Sequence, residues 1–96
     1  MKKEKPSQSQ DDVLEPGKFY LINNRYEEAL QFFLDMQKKM PNNPEVYYHL
    51  GLIYEAKNEL QKAKEMFLKT IELAPNHSFA KKHLEKILGI NDEGVK

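Results

Sequence analysis

Three histidines, His49, His77 and His83, are the side chains of this 96-residue chain best placed to move protons or hold a metal near neutral pH. A zinc ion held by one helix asks for two histidines four residues apart on one face, and no two of these stand so. There is no cysteine, which removes thiolate ligands, a cysteine nucleophile and a disulfide framework. Ser7, Ser9 and Ser78 lack the glycine-flanked turn that exposes a serine nucleophile, and Ser78 stands where a helix N-cap is expected. A phosphate-cradling loop needs clustered glycines, whereas the four glycines here are scattered. Carboxylates alternate with lysines, as in Glu55, Glu59, Lys62, Lys69 and Glu72, the pattern of a solvated helix face. These residues imply no catalytic site, no cofactor and no metal, and the chain is not expected to be an enzyme.

Composition narrows the partners. Fifteen basic and fifteen acidic residues cancel, so no global field favours nucleic acid or an anionic membrane. No apolar run reaches the roughly 18 residues of a membrane span, and Met1-Lys2-Lys3-Glu4 does not lead into a signal-peptide core. A cytoplasmic protein is expected, binding neither nucleic acid nor membrane.

The elements that must position any site are helices. Residues 1–12 hold no large apolar side chain after Met1 and read as disordered, because they cannot bury enough surface to offset their ordering entropy. Residues 90–96 read as a flexible tail. Between them, Pro41-Asn42-Asn43-Pro44 and Pro75-Asn76-His77 are strong breaks, and Asn23-Asn24 and Lys57-Asn58 weaker ones. Apolar residues recur every three or four positions: Tyr26, Ala29, Leu30, Phe33 and Met36; then Val46, Tyr47, Leu50, Ile53 and Tyr54; then Leu60, Ala63, Phe67, Ile71 and Ala74. Ala80, Leu84, Ile87 and Leu88 mark the inward face of a last helix. Helices are predicted at 14–23, 26–39, 44–57, 60–74 and 78–89, with Asn58 left-handed in a tight turn.

Sliding the chain along itself until Gly17 lies on Gly51 also lays Tyr20 on Tyr54, Asn24 on Asn58, Ala29 on Ala63, Phe33 on Phe67 and Pro41-Asn42 on Pro75-Asn76. All share one offset, a 34-residue period. Small Gly51 and Ala63 let antiparallel helices approach, with any side chain at 51 expected to meet the facing helix near Ala63, while Tyr47, Leu50, Tyr54 and Phe67 fill the space between hairpins. Period and residue types resemble the tetratricopeptide repeat. Residues 44–77 carry its pattern nearly whole, as Tyr47-x-x-Leu50-Gly51-x-x-Tyr54, Ala63-x-x-x-Phe67 and Pro75, with Tyr47 where the family usually has tryptophan. Residues 10–43 are a degenerate repeat with Val13 and Pro16 at the aromatic and leucine positions. Pro16 implies a shortened first helix opening there, with Phe19 and Tyr20 packed under the next repeat. Residues 78–89 read as a capping helix, Lys81 taking the aromatic position.

The resemblance implies an all-α domain over 13–89, antiparallel hairpins stacked as a short right-handed superhelix. It also implies a scaffold that takes a peptide or helix of another protein in a concave groove. In the family's register that groove holds Leu14, Lys18, Leu21, Glu45, Tyr48, His49, Leu52, Glu55, Phe79 and Lys82. Tyr48 and Phe79 could instead simply pack on each other. Lys81, Lys82 and Lys86 make one end basic. The lysine and asparagine clamp with which some family members hold an acidic chaperone tail is absent, since Leu14, Lys18, His49, Phe79 and His83 stand at its positions. A structural homodimer is the alternative, because a shortened first helix would leave Phe19 and Leu21 poorly covered.

Overall fold

The computed structural model describes residues 13–89, so the expectations for 1–12 and 90–96 lie outside the described residues. Five helices follow one another there: α1 (Glu15–Ile22), α2 (Tyr26–Lys39), α3 (Pro44–Ala56), α4 (Leu60–Leu73) and α5 (Ser78–Leu88). Each packs on the next, and turns of three or four residues fold successive helices back antiparallel.

The 34-residue period reaches down to single hydrogen bonds. Asn24 and Asn58 both have φ of 62°, the left-handed geometry that asparagine tolerates. In each turn the next residue's N–H reaches back to a tyrosine carbonyl, Arg25 to Tyr20 and Glu59 to Tyr54, both at 2.8 Å. That bond satisfies a carbonyl the helix end leaves orphaned. Pro44 opens α3 while the Asn43 side chain accepts from the Glu45 N–H at 2.9 Å. Tyr47, in the usual tryptophan position, donates its hydroxyl to the Pro41 carbonyl at 2.7 Å, pinning α3 to the turn before it. Pro16 is tolerated because it lies in the first turn of α1, which starts at Glu15.

Two apolar clusters hold the stack. Leu14, Ala29, Phe33, Val46, Leu50 and Ile53 form the first, between the α1–α2 hairpin and α3; Ala63, Phe67 and Ala80 form the second, between the α3–α4 hairpin and α5. Side chains would not fit at two glycines. A Cβ on Gly51 would lie 2.6 Å from Phe67 Cε1, and one on Gly17 would overlap the Phe32 and Phe33 rings. In both hairpins a phenylalanine sixteen residues later fills the space above the glycine. The neighbour of Gly51 is therefore the Phe67 ring, one turn beyond the expected Ala63.

Other expectations are corrected as well. Phe19 is 59% exposed rather than packed under the next repeat, while Tyr20 does pack against the first cluster. Leu60 and Leu88 stay exposed despite fitting the apolar period. Leu14 is fully buried rather than at a groove edge. His77, not Ser78, caps α5: its Nδ1 accepts the Ala80 N–H at 3.2 Å.

Candidate functional site

The first helices of successive hairpins, α1, α3 and α5, make one face, and two adjoining clefts cross it. One of about 350 Å³ lies between α1 and α3, lined by Lys18, Leu21, Ile22, His49 and Leu52. The other, about 530 Å³, continues toward α5 and is lined by Lys18, Glu45, Tyr48, His49, His77 and Phe79. Lys18 and His49 line both, which makes the clefts continuous. The structure thus brings together Lys18, Leu21, Glu45, Tyr48, His49, Leu52 and Phe79 of the residues read from the sequence. Glu55 and Lys82 line neither cleft.

Glu55 is occupied elsewhere. Its side chain is only 16% exposed, and its two oxygens meet His83 Nδ1 at 2.8 Å and Lys86 Nζ at 3.1 Å. It is a tie between α3 and α5, not part of a solvated face; Lys86 makes that tie while itself staying exposed, as Lys81 and Lys82 are.

Tyr48 sits at the centre of a ring cluster. Its centroid lies 4.7 Å from His77, 5.2 Å from His49, 6.0 Å from both Phe67 and His83, and 6.4 Å from Phe79. Half-burial, reinforced by the charges of Glu45 and Glu55, pushes its phenol above the ordinary 10.0. Tyr48 is consequently both wall of the cleft and part of the protein's own packing, and its contact with Phe79 is one among five. His49 and His83 occupy equivalent positions of successive hairpins, and each stacks on the phenylalanine of the hairpin before it: His49 on Phe33 at 5.0 Å, His83 on Phe67 at 5.2 Å. Glu45 stands one turn before His49, and its backbone carbonyl meets that ring at 2.7 Å from Nδ1, while its carboxylate goes to His77 Nε2 at 2.8 Å. Among the described residues no group of three histidines or acids could hold a metal ion.

Two lining residues were missed by the sequence reading, Ile22 and His77. His77 lies in a turn, where apolar periodicity says nothing. The signal that finds it is the repeat itself, since His77 stands one full period after the cap residue Asn43. Ile22 follows Leu21 off the core face and carries no periodic signal.

A separate cleft of about 540 Å³ is lined by Tyr20, Glu27, Glu28, Gln31, Phe32 and Asp35. One repeat later, Tyr20 and Phe32 become Tyr54 and Met66, which pack on the first hairpin's cluster. That cleft therefore marks a hairpin-packing side of the fold.

Antiparallel hairpins at a fixed 34-residue period, each closed by a glycine–phenylalanine contact and presenting one face of first helices, define a helical-repeat architecture. Residues 44–77 match the family model described as Tetratricopeptide repeat. A TPR repeat-containing protein of Methanocaldococcus jannaschii is 41% identical over 51 residues, which is 53% of this chain and 16% of that protein. Within residues 44–77 the chain therefore resembles a tetratricopeptide repeat, a kind of repeat that generally mediates protein–protein interaction. Among the described residues no helix is long and apolar enough to cross a membrane.

Proposed function

We propose that residues 13–89, as one degenerate repeat, one clear repeat and a capping helix, form a non-catalytic cytoplasmic module. It binds a peptide or helix of a partner protein along the face of α1, α3 and α5. The supporting observation is the pair of apolar anchors flanking that face: Ile22 is 80% exposed on α1 and Phe79 64% exposed on α5, with Leu21, Leu52 and Tyr48 between them. Exposed apolar residues bordering a continuous cleft are what a partner's buried anchors require. Glu45 is tied to His77 and Glu55 to His83 and Lys86, so apolar side chains, rather than an acidic tail, are the fitting occupants.

Ile22→Ala with Phe79→Ala tests this better than changes at Tyr48, whose ring also supports the fold. Capture of partners from the native lysate, compared with parent protein, should be lost while the melting midpoint stays within about 2–4 °C, as surface truncations generally allow. Undiminished capture by the double variant would remove the face from consideration. Phe19 and Ile22, both exposed on one eight-residue helix, favour self-association as a second reading; light scattering at micromolar concentration decides it, a monomer excluding the dimer.

A further inference from the structure

We infer that His77 is a positioning residue of the cleft: its neutral Nε2–H tautomer joins Glu45 to the start of α5, and its protonation undoes the cap that holds Phe79 in place. This rests on the binding face proposed above and concerns how that face is regulated.

The tautomer follows from the partners. A backbone N–H only donates, so Nδ1, 3.2 Å from the Ala80 nitrogen, must be bare. A carboxylate only accepts, so Nε2, 2.8 Å from Glu45 Oε2, must carry the hydrogen. One neutral form satisfies both contacts. Phe79 lies between the capping residue and the capped amide, and the His77 ring rests 4.7 Å from Tyr48. One side chain thereby sets the helix start, the Glu45 carboxylate and the tyrosine of the cleft.

A second proton has nowhere to go but Nδ1, where it faces the Ala80 N–H and abolishes the acceptor. The groups around the ring do not change that outcome. Glu45 on α3 attracts an imidazolium; Lys18 on α1, across the same cleft, opposes it; Tyr48 and His49 on α3 complete the lining, and His83 of α5 touches the far side of Tyr48. None returns a lone pair to Ala80. His49 and His83 differ in kind. Each already directs Nδ1 at an oxygen, the Glu45 carbonyl or the Glu55 carboxylate. A second proton there enters at Nε2 and leaves those bonds intact. Protonation of His77, by contrast, removes its bond to the Ala80 N–H. The repeat supplies the control: Asn43, its equivalent, caps α3 through an amide oxygen that does not titrate.

Nitrogen-15 NMR of the imidazoles, followed from about pH 7.5 to about pH 5, tests the assignment on the full chain. At neutral pH His77 should show a bare Nδ1 and a protonated Nε2, with Nδ1 protonated in His49 and His83. As His77 takes up its second proton, exchange of the Ala80 amide, relative to its intrinsic rate at each pH, should rise about fivefold, the equilibrium factor of one lost cap. His77→Asn should keep Ala80 protected across the range, and His77→Ala should expose it throughout. An Nδ1–H tautomer at neutral pH, Ala80 protection that ignores His77 protonation, or a parental pH profile in His77→Asn would each overturn the inference. No partner is needed for these readouts, so their failure leaves the binding face standing. The lysate experiment at one pH judges that face alone.

Discussion

At Gly51 a single added carbon decides whether two helices can approach. The Cβ of an alanine would lie 2.6 Å from the Phe67 ring, and that ring is fully buried, so it cannot swing aside. Gly51→Ala should cost about 1–3 kcal/mol by overpacking, and Gly51→Leu more; urea unfolding should show a lower midpoint, and an unchanged midpoint would mean that Phe67 has room to move. The left-handed asparagines make a paired case. Asn58→Gly should be neutral or slightly stabilising, because glycine adopts φ near 62° without strain. Asn24→Gly should be worse, since Asn24 Oδ1 also accepts the Tyr26 hydroxyl at 3.0 Å and that bond is worth about 1 kcal/mol. Equal melting midpoints for the two variants would show that the Tyr26 bond contributes nothing. Both asparagines and both glycines were legible in the sequence because each has a counterpart one repeat away. Glu55 was not, because its role depends on a helix two elements further on.

The helices themselves were read to within one or two residues at every boundary, since Pro16, Pro44, the two asparagine turns and Pro75 punctuate them chemically. What periodicity could not supply was the number of neighbours each face has. Leu60 and Leu88 fit the apolar stripe yet stay exposed, and Leu14, one residue before α1, is drawn fully into the core. Attachment of α5 is the least apolar of the contacts between hairpins: Ala80 is its only fully buried residue, and the Glu55 tie to His83 and Lys86 supplements it. Glu55→Ala should therefore loosen α5 before anything else. Both partners of Glu55 are partly exposed, so the loss should be about 1 kcal/mol. Hydrogen exchange should localise it to 78–88 with α2 unaffected. Uniform loss of protection along the chain would contradict a local tie.

On the scale of the whole molecule, two small clusters unfold as one only if something couples them. Repeat arrays derive stability from each unit plus the interface to its neighbour, so cooperativity depends on side chains that belong to both clusters. Tyr54 is such a residue, packing against the Leu14–Ile53 cluster on one side and against Phe67 and its neighbours on the other. Lys62 Nζ lies 5.5 Å from its ring centre, and its carbonyl closes the α3–α4 turn whatever side chain it bears. Complete truncation of a buried aromatic costs about 3–5 kcal/mol; for the half-buried Tyr54, Tyr54→Ala should cost somewhat less, about 2–3 kcal/mol. The more diagnostic change is in the shape of the transition. With the bridging ring gone, the clusters should unfold in separate steps, so the apparent slope of the urea curve should fall along with its midpoint. Tyr54→Phe keeps the ring in both clusters and should retain the parental slope, and Phe79→Ala, which lies on the proposed binding face and in neither cluster, should do so as well. A Tyr54→Ala protein that is destabilised yet unfolds with the parental slope would show that the continuous backbone of α3 couples the clusters by itself.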